Sequence, residues 1–97
     1  MKIKILKSAN QDLIDGFYFY EKQGEGLGAY FLDSLYSDID SLKIYAGIHS
    51  IHFKKYHRLL SKRFPFAVYY CVENDVAFIH AVLDCRRDPA WIRKKLT

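Results

Sequence analysis

Two hydrophobic periods divide the chain into a helical first half and a strand-rich second half. Residues 2–6, KIKIL, alternate basic with apolar side chains, which predicts a half-buried first strand. Ser8 and Gln11 match a capping box at the start of a helix. Apolar residues then recur at steps of three and four, which predicts two helices separated by a turn at Gly24 and Gly26. The second helix is expected to start near Leu27 and to stop at Gly47. The recurring apolar residues of the first helix are Leu13, Ile14, Phe17, Tyr18 and Tyr20. Those of the second helix are Tyr30, Phe31, Leu35, Ile39, Leu42 and Ala46.

The second half of the chain favours strands. In YHRLLSKR a strand would place Tyr56 and Arg58 on one face and His57 on the other. Residues 66–84 predict a tight hairpin, because two β-prone runs flank the turn-forming pair Asn-Asp. If Glu73 and Val76 close it, residue i faces residue 149 − i, and residue 84 faces residue 65. The run VAFIHAVL is apolar on both faces, as in a strand covered on both sides.

The chain ends in a predicted basic helix. Asp88 and Pro89 combine an N-cap with a proline at the first helical position, and Trp91 and Ile92 can anchor the turns that follow. The element order is therefore β-α-α-β-β-β-α. It predicts one α+β domain over residues 1–97, with an N-terminal strand and a helical hairpin packed on an antiparallel sheet.

Composition narrows the class of protein. At 97 residues and 51% hydrophobic, the chain can build one compact core. No apolar run approaches the roughly 18 residues of a membrane span, and no signal-peptide pattern begins the chain, so we expect a cytoplasmic protein. Cys71 and Cys85 lack metal-site spacing, and the hairpin register holds them about 23 Å apart, so we expect reduced thiols. The sequence shows no phosphate-binding loop or metal-ligand cluster, and we predict no metal or cofactor.

Basic charge is concentrated in the middle of the chain. Residues 41–72 hold six Lys and Arg and no acid, whereas residues 1–40 hold four lysines against seven acids. This distribution favours a polyanion or an acidic protein as partner. Five of these cations are close together in sequence, namely Lys54, Lys55, Arg58, Lys62 and Arg63.

A second basic pair, Arg86 and Arg87, follows the last strand in the stretch VLDCRRDPAW. Because the hairpin is antiparallel, the pair is expected near residues 62–63, at one end of the sheet. Like charges gathered in this way suit an anionic partner. The alternative is structural: Asp84 and Asp88 could pair with the arginines and fix the corner between strand and helix.

The stretch KRFPFAVYY, followed by VAFIHAVLDCRRDPAW, resembles the RelE/ParE superfamily of toxins from bacterial type II toxin–antitoxin modules, most closely its ParE-like, plasmid-stabilisation branch. The matching features are a basic Arg-Phe-Pro-Phe strand start and an apolar strand that closes on Arg-Arg-Asp-Pro. The N-terminal strand and acidic helices match the family layout. The resemblance implies a growth-inhibiting toxin in a hetero-oligomer with its antitoxin, whose disordered C-terminal segment folds over the toxin as helix and strand.

The superfamily divides by mechanism. RelE-like members cut mRNA in the ribosomal A site, whereas ParE-like members bind DNA gyrase and stall it without covalent chemistry. RNA cleavage needs groups that take and give a proton, besides cations. RelE-like nucleases carry Tyr or His shortly after the arginine, where this chain has Trp91, whose indole does not ionise. If the chain is a nuclease, the candidate catalytic residues are Lys54, Lys55, Tyr56, His57, Arg58, Arg63 and Arg87, with His52 as a further substitute base.

We therefore predict a toxin that acts by binding, with gyrase as its target. An mRNA interferase is the alternative, and a non-toxic relative that still binds an antitoxin is a third possibility. His80, inside the last strand, is predicted to be a packing residue rather than a general base. The residues predicted to bind the target or the antitoxin are Lys54, Arg58, Lys62, Arg63, Arg86, Arg87 and Trp91.

Overall fold

The computed structural model describes residues 1–96, which form five strands and four helices. The predicted order of elements is confirmed, with a one-turn helix and a two-residue strand as additions. In chain order the elements are β1 (Lys2–Ile5), α1 (Lys7–Glu21), α2 (Leu27–Asp40), α3 (Leu42–Tyr45), β2 (Ile51–His52), β3 (Tyr56–Leu60), β4 (Phe66–Glu73), β5 (Val76–Asp84) and α4 (Pro89–Leu96).

The five strands form one sheet in the order β1-β5-β4-β3-β2. Strands β2 to β5 pair antiparallel, because short turns connect them. β1 instead pairs in parallel with β5, from Lys2 opposite Val76 to Ile5 opposite Ile79. The α+β fold is as predicted, but the sheet is mixed at this edge. The helices carry the chain from β1 to the far edge of the sheet, and three reversals bring β5 back beside it.

The β4–β5 hairpin keeps the predicted register only as far as a bulge. Glu73 faces Val76, and Tyr70 faces Ile79, as predicted. Between Tyr69 and Tyr70 the register shifts by one, so that Asp84 faces residue 66 instead of residue 65. An inserted residue of this kind bends the strand and interrupts the hydrogen-bond ladder. The sequence does not reveal the bulge, because an apolar run without alternation looks the same in either register.

Helices α1 and α2 cover one face of the sheet and pack closely on each other. A Cβ added to Gly16 would lie 2.5 Å from the ring of Phe31, so only glycine fits this contact. Ile14 and Tyr18, predicted for the buried stripe, are 40% and 60% exposed. The core on this face consists of Ala9, Leu13, Tyr20, Phe31, Leu35, Ile39, Leu42, Phe66, Val68, Tyr70, Ala77, Ile79 and Val82.

The predicted capping box of α1 is wrong. The helix begins at Lys7 without a side-chain cap. The hydroxyl of Ser8 donates to the backbone carbonyl of His80 at 2.8 Å, and the amide of Gln11 donates to Asp15 at 2.9 Å. Both side chains thus bind partners other than the orphan amides of the first turn.

Helix α4 covers part of the opposite face of the sheet. Asp88 caps it by accepting the N–H of Ala90 at 2.8 Å, which confirms the predicted N-cap. The hydroxyl of Tyr56 donates to the carbonyl of Leu96 at 2.8 Å and fixes its other end. The core on this face consists of Tyr56, Ala67, Tyr69, Ala81, Leu83 and Ile92, so β4 and β5 are buried on both faces, as predicted for β5.

Two carboxylates of the helices bind groups in the second half of the chain. Asp38 is only 6% exposed and accepts the hydroxyl of Ser61 at 2.7 Å. Asp12 accepts the backbone N–H of Val82 at 3.0 Å. Both therefore connect a helix to the second half of the chain.

Cys71 and Cys85 are free thiols, as predicted. Within residues 1–96, no three His, Cys, Asp or Glu side chains gather as a metal site would require. None of the helices in the same range is both long and apolar enough to cross a membrane.

Candidate macromolecule-binding surface

The side chains predicted to form one basic site fall into three groups. The first group borders a cavity of about 610 Å³ between the β2–β3 turn and α4. We call it the turn cavity. Its apolar floor and cationic rim suit an anionic group attached to a flat or apolar body. It is lined by Phe53, Lys54, Lys55, Tyr56, Arg93 and Leu96.

The β2–β3 turn holds two consecutive residues in the left-handed region. Phe53 has a φ of 55° and Lys54 a φ of 65°, a conformation that L-residues other than Asn and Asp rarely adopt. The ring of Phe53 lies 6.4 Å from that of Tyr69 and 5.4 Å from the guanidinium of Arg93. These contacts keep the phenyl ring beside α4, and Lys54 and Lys55 are left exposed.

Arg58 lies on the same face of the sheet but is half-buried. It faces Tyr69 across the β3–β4 pair, with its guanidinium beside the Tyr69 side chain. Burial raises the pKa of Tyr69, and the neighbouring guanidinium partly opposes that rise. Arg58 is therefore half-buried against the sheet, whereas Lys54 and Lys55 are exposed, with the ammonium of Lys55 5.4 Å from the centre of the Tyr56 ring.

The second group lies where β3 and β5 end. Lys62 and Arg63 are exposed in the loop before β4. The N–H of Cys85 donates to the carbonyl of Pro65 at 2.9 Å, so this loop runs beside the segment that carries Arg86. The backbones of the two basic segments therefore meet at one end of the sheet.

Arg86 is held by an acid of its own segment. Its Nε and Nη2 donate to the two carboxylate oxygens of Asp84 at 3.0 and 2.7 Å, and its backbone N–H donates to the same carboxylate at 2.9 Å. Hydrogen bonding to this guanidinium holds the pKa of Asp84 below its usual value. Arg86 thus has the structural role that the sequence analysis gave as the alternative to partner binding, in which an aspartate pairs with the arginine and fixes the corner between strand and helix.

Arg87 belongs to a third group, on the other side of the corner. Its guanidinium lies 4.5 Å from the centre of the Trp91 ring, and the ammonium of Lys95 lies 5.5 Å from the same ring. Both cations border a groove of about 260 Å³ between α1 and α4. The opposite wall carries Asp12 and Asp15, so the groove has one basic and one acidic side.

Asp12 is a residue that the sequence analysis did not single out. Burial raises its pKa to about 6, although the hydrogen bond from Val82 and the charge of Lys95 lower it. A carboxyl group that titrates near pH 6 at a groove wall can change the local charge close to neutral pH. Its position beside the bulged part of β5 depends on tertiary packing and leaves no mark in the sequence.

The histidines of the basic segment do not gather with Lys54 and Lys55. His57 lies on the helical face, where its ring stacks on Tyr70 with centroids 5.0 Å apart, and its Nδ1 lies 2.7 Å from the carbonyl of His49. His52 pairs with the hydroxyl of Ser50 at 3.0 Å, and burial lowers its pKa.

His80 lies on the face that α4 leaves partly open. Its ring is 5.2 Å from that of Tyr56, and it borders a cavity of about 180 Å³ together with Lys55, Cys71 and Glu73. Burial lowers the pKa of His80, and the charge of Lys55 lowers it further. A largely neutral imidazole beside a cation is chemically able to accept a proton. The sequence suggested a packing role because β5 is apolar on both sides of this residue.

Comparisons with known proteins identify the fold. No family model matches the sequence, and no curated protein matches it. The structure is similar to a chain of the solved structure described as "Chromosomal ParDE TA system from P. aeruginosa". The two chains are 17% identical, the match covers 84% of this chain and 92% of that chain, and the TM-score is 0.77. The chain therefore has the RelE/ParE-like fold that its sequence predicted.

Proposed function

We propose that this protein is the toxin of a type II toxin–antitoxin pair, which arrests growth by binding DNA gyrase and is neutralised by a cognate antitoxin. The observation that carries the proposal is a set of exposed cations without acidic partners. They lie on a fold similar to that of a chain from a ParDE TA system. Gyrase is the target that the family resemblance implies.

The exposed cations are available for a partner. Lys54, Lys55, Lys62, Arg63 and Arg87 are all exposed, and none has a carboxylate of residues 1–96 within 4 Å. Such charges repel one another and raise the rate at which a partner of opposite charge associates. A target or antitoxin with an acidic segment would offset them.

Both cavities beside α4 offer apolar contact next to these charges. The turn cavity provides Phe53 and Tyr56, and the α1–α4 groove provides Phe19 and Trp91. An acidic segment with apolar residues could therefore bury side chains while its carboxylates meet the lysines. Aromatic and arginine side chains are the residues that most often dominate protein interfaces.

Binding, rather than catalysis, agrees with the positions of the proton-transfer groups. His57 is on the opposite face from Tyr56 and Arg58, and Trp91 cannot ionise. Of the groups proposed from the sequence for proton transfer, only Tyr56 borders the turn cavity, and its hydroxyl is bound to Leu96.

A ribosome-dependent mRNA nuclease is the second candidate, and His80 is the observation that favours it. Burial lowers the pKa of His80, which favours the uncharged imidazole that a general base needs, and Lys55 beside it could hold a phosphate. In this alternative His80 would be the base, and its removal would abolish activity.

Growth arrest on induction of the gene tests the proposal. We expect arrest with the wild-type chain, and loss of arrest when Lys54→Glu and Lys55→Glu are combined. Lys22→Glu is the control, because this exposed lysine directly follows α1 and does not line the turn cavity. His80→Ala should still arrest growth. A wild-type chain that fails to arrest growth would contradict a toxin, and loss of arrest in His80→Ala with an unchanged melting curve would favour the nuclease.

A further inference from the structure

Two residues of the segment from α3 to β2, residues 44–52, bind the sheet through polar groups, namely Gly47 and His49. The hydroxyl of Tyr70, which is fully buried, accepts the N–H of Gly47 at 3.0 Å and pairs with Nδ1 of His49. The carbonyl of His49 in turn meets Nδ1 of His57 at 2.7 Å. These bonds fix the segment to the core.

Four large apolar side chains of the same segment face water. Ile44 is 80% exposed, Ile48 72%, Ile51 59% and Tyr45 53%. Burying one large apolar side chain contributes about 1.5–3 kcal/mol of favourable free energy. A partner that covered these four side chains would therefore gain considerable binding free energy. Large apolar side chains exposed this close together in one segment are typical of a surface that another molecule covers, and we call these four the apolar patch.

The patch continues into an open strand edge. β2 is the outermost strand of the sheet. The carbonyls of Ser50 and His52 accept N–H groups from the β3 side, namely those of Arg58 and Lys55. The backbone groups of Ile51, which lies between them, therefore point to the open edge by the alternation of an antiparallel pair. Such groups are a template for another strand.

Charge decides which molecule this surface fits. Residues 44–53 contain no Lys, Arg, Asp or Glu, in a chain whose net charge is +4. Burial lowers the pKa of His49 and of His52, which favours the uncharged form of both side chains. An acidic partner would be drawn to the cations elsewhere, whereas two uncharged patches meet without the repulsion that separates two basic molecules.

We propose that residues 44–52 form a self-association surface, through which two copies of this chain dimerise with β2 paired antiparallel to β2. A two-fold axis through such a pair brings the same patch of both copies together, which is the geometry of an isologous interface. The exposed isoleucines of each copy would then cover those of the other. This inference does not depend on the proposed toxin function.

Sedimentation velocity of the full chain, made by cell-free synthesis and diluted through the micromolar range, tests the dimer. We expect the wild type to pass from dimer to monomer on dilution, and the double variant Ile48→Lys, Ile51→Lys to be monomeric throughout. Tyr18→Lys, at an equally exposed apolar position on α1, should dimerise like the wild type. A wild type that is monomeric at every concentration, or a folded double variant that still dimerises, would overturn the proposal.

Hydrogen exchange gives a test that needs no substitution and so holds even if the double variant fails to fold. The amide of Ile51 should exchange more slowly as the wild-type concentration rises, because the second copy would accept its hydrogen bond. An exchange rate that is independent of concentration would contradict the β2 pairing. Slower exchange only after addition of a different protein would assign the patch to that partner instead.

Discussion

Arg86 binds both carboxylate oxygens of Asp84, the last residue of β5, while Arg87 lies against the ring of Trp91. Two adjacent arginines thus have different surroundings. The first closes the corner between strand and helix, and the second borders the α1–α4 groove. A substitution of both together would mix a structural effect with a binding effect.

Separate alanine substitutions should distinguish these roles. We expect Arg86→Ala to lower the melting temperature, because Asp84 then loses its paired guanidinium, and to weaken antitoxin binding less than Arg87→Ala does. Arg87→Ala should leave the melting temperature nearly unchanged and weaken binding about 5–30-fold, as the loss of roughly 1–2 kcal/mol at an interface arginine would. Thermal unfolding and titration with a purified antitoxin measure the two effects. Equal effects of both variants on binding would contradict this division.

Asp12 should make stability depend on pH. Burial raises its pKa in the folded chain to about 6, from the ordinary value of 3.8 for an aspartate. The folded state therefore holds this proton more tightly than the unfolded state, and the contribution of Asp12 to stability falls as the pH rises from about 4 to about 6. Asp12→Asn keeps an acceptor for the N–H of Val82 but cannot ionise.

We expect Asp12→Asn to match the wild type near pH 4 and to exceed its stability by about 1 kcal/mol at pH 7. This is less than the full pKa difference implies, because the side chain is only half-buried and water screens it. Urea unfolding at several pH values measures the difference. Asp33→Asn, at an exposed position on α2 that does not contribute to the pKa shift of Asp12, serves as the control and should show no such trend.

Gly16→Ala should destabilise the fold although alanine favours helices. The new Cβ would lie 2.5 Å from the ring of Phe31, which is fully buried and cannot move aside. Overpacking costs about 1–3 kcal/mol, and the gain in helix propensity is about 1 kcal/mol. We expect a net loss of about 1 kcal/mol in urea unfolding, with no loss for Asn10→Ala on the exposed side of the same helix. Unchanged or increased stability of Gly16→Ala would show that α1 and α2 can separate.

The hydrophobic pattern predicted those parts of the fold that depend on local sequence, such as a two-residue turn or the spacing of apolar residues along one helix. The Asn74–Asp75 turn fixes the register from Glu73 to Tyr70, and both residues have positive φ. The bulge beyond Tyr70 and the parallel pairing of β1 depend on how distant segments pack, and neither changes the local pattern. Tyr18 was wrongly predicted to be buried for a related reason. The spacing of apolar residues along a helix does not show how much of the helix surface the neighbouring elements cover.

The candidate site was only partly predictable. The sequence indicated Lys54 and Lys55 as cations of a basic strand before the hairpin, whereas the structure places both on the exposed β2–β3 turn. The antiparallel hairpin brought the segment of Arg86 beside the loop of Lys62, as expected. The sequence did not separate Arg86 from Arg87, because the direction of each guanidinium depends on a corner of irregular backbone. Likewise, nothing local distinguishes His80, which borders a cavity, from a core histidine, since the position of α4 decides which part of that face stays open.

The most direct test of the account is to incubate the purified chain with DNA gyrase and supercoiled plasmid, beside a ribosome programmed with mRNA. We predict trapped double-strand breaks in the plasmid, no cleavage of the mRNA, and loss of the breaks in the Lys54→Glu, Lys55→Glu variant. An untouched plasmid together with mRNA cut in phase with the codons, and loss of that cutting in His80→Ala, would contradict a toxin that acts by binding.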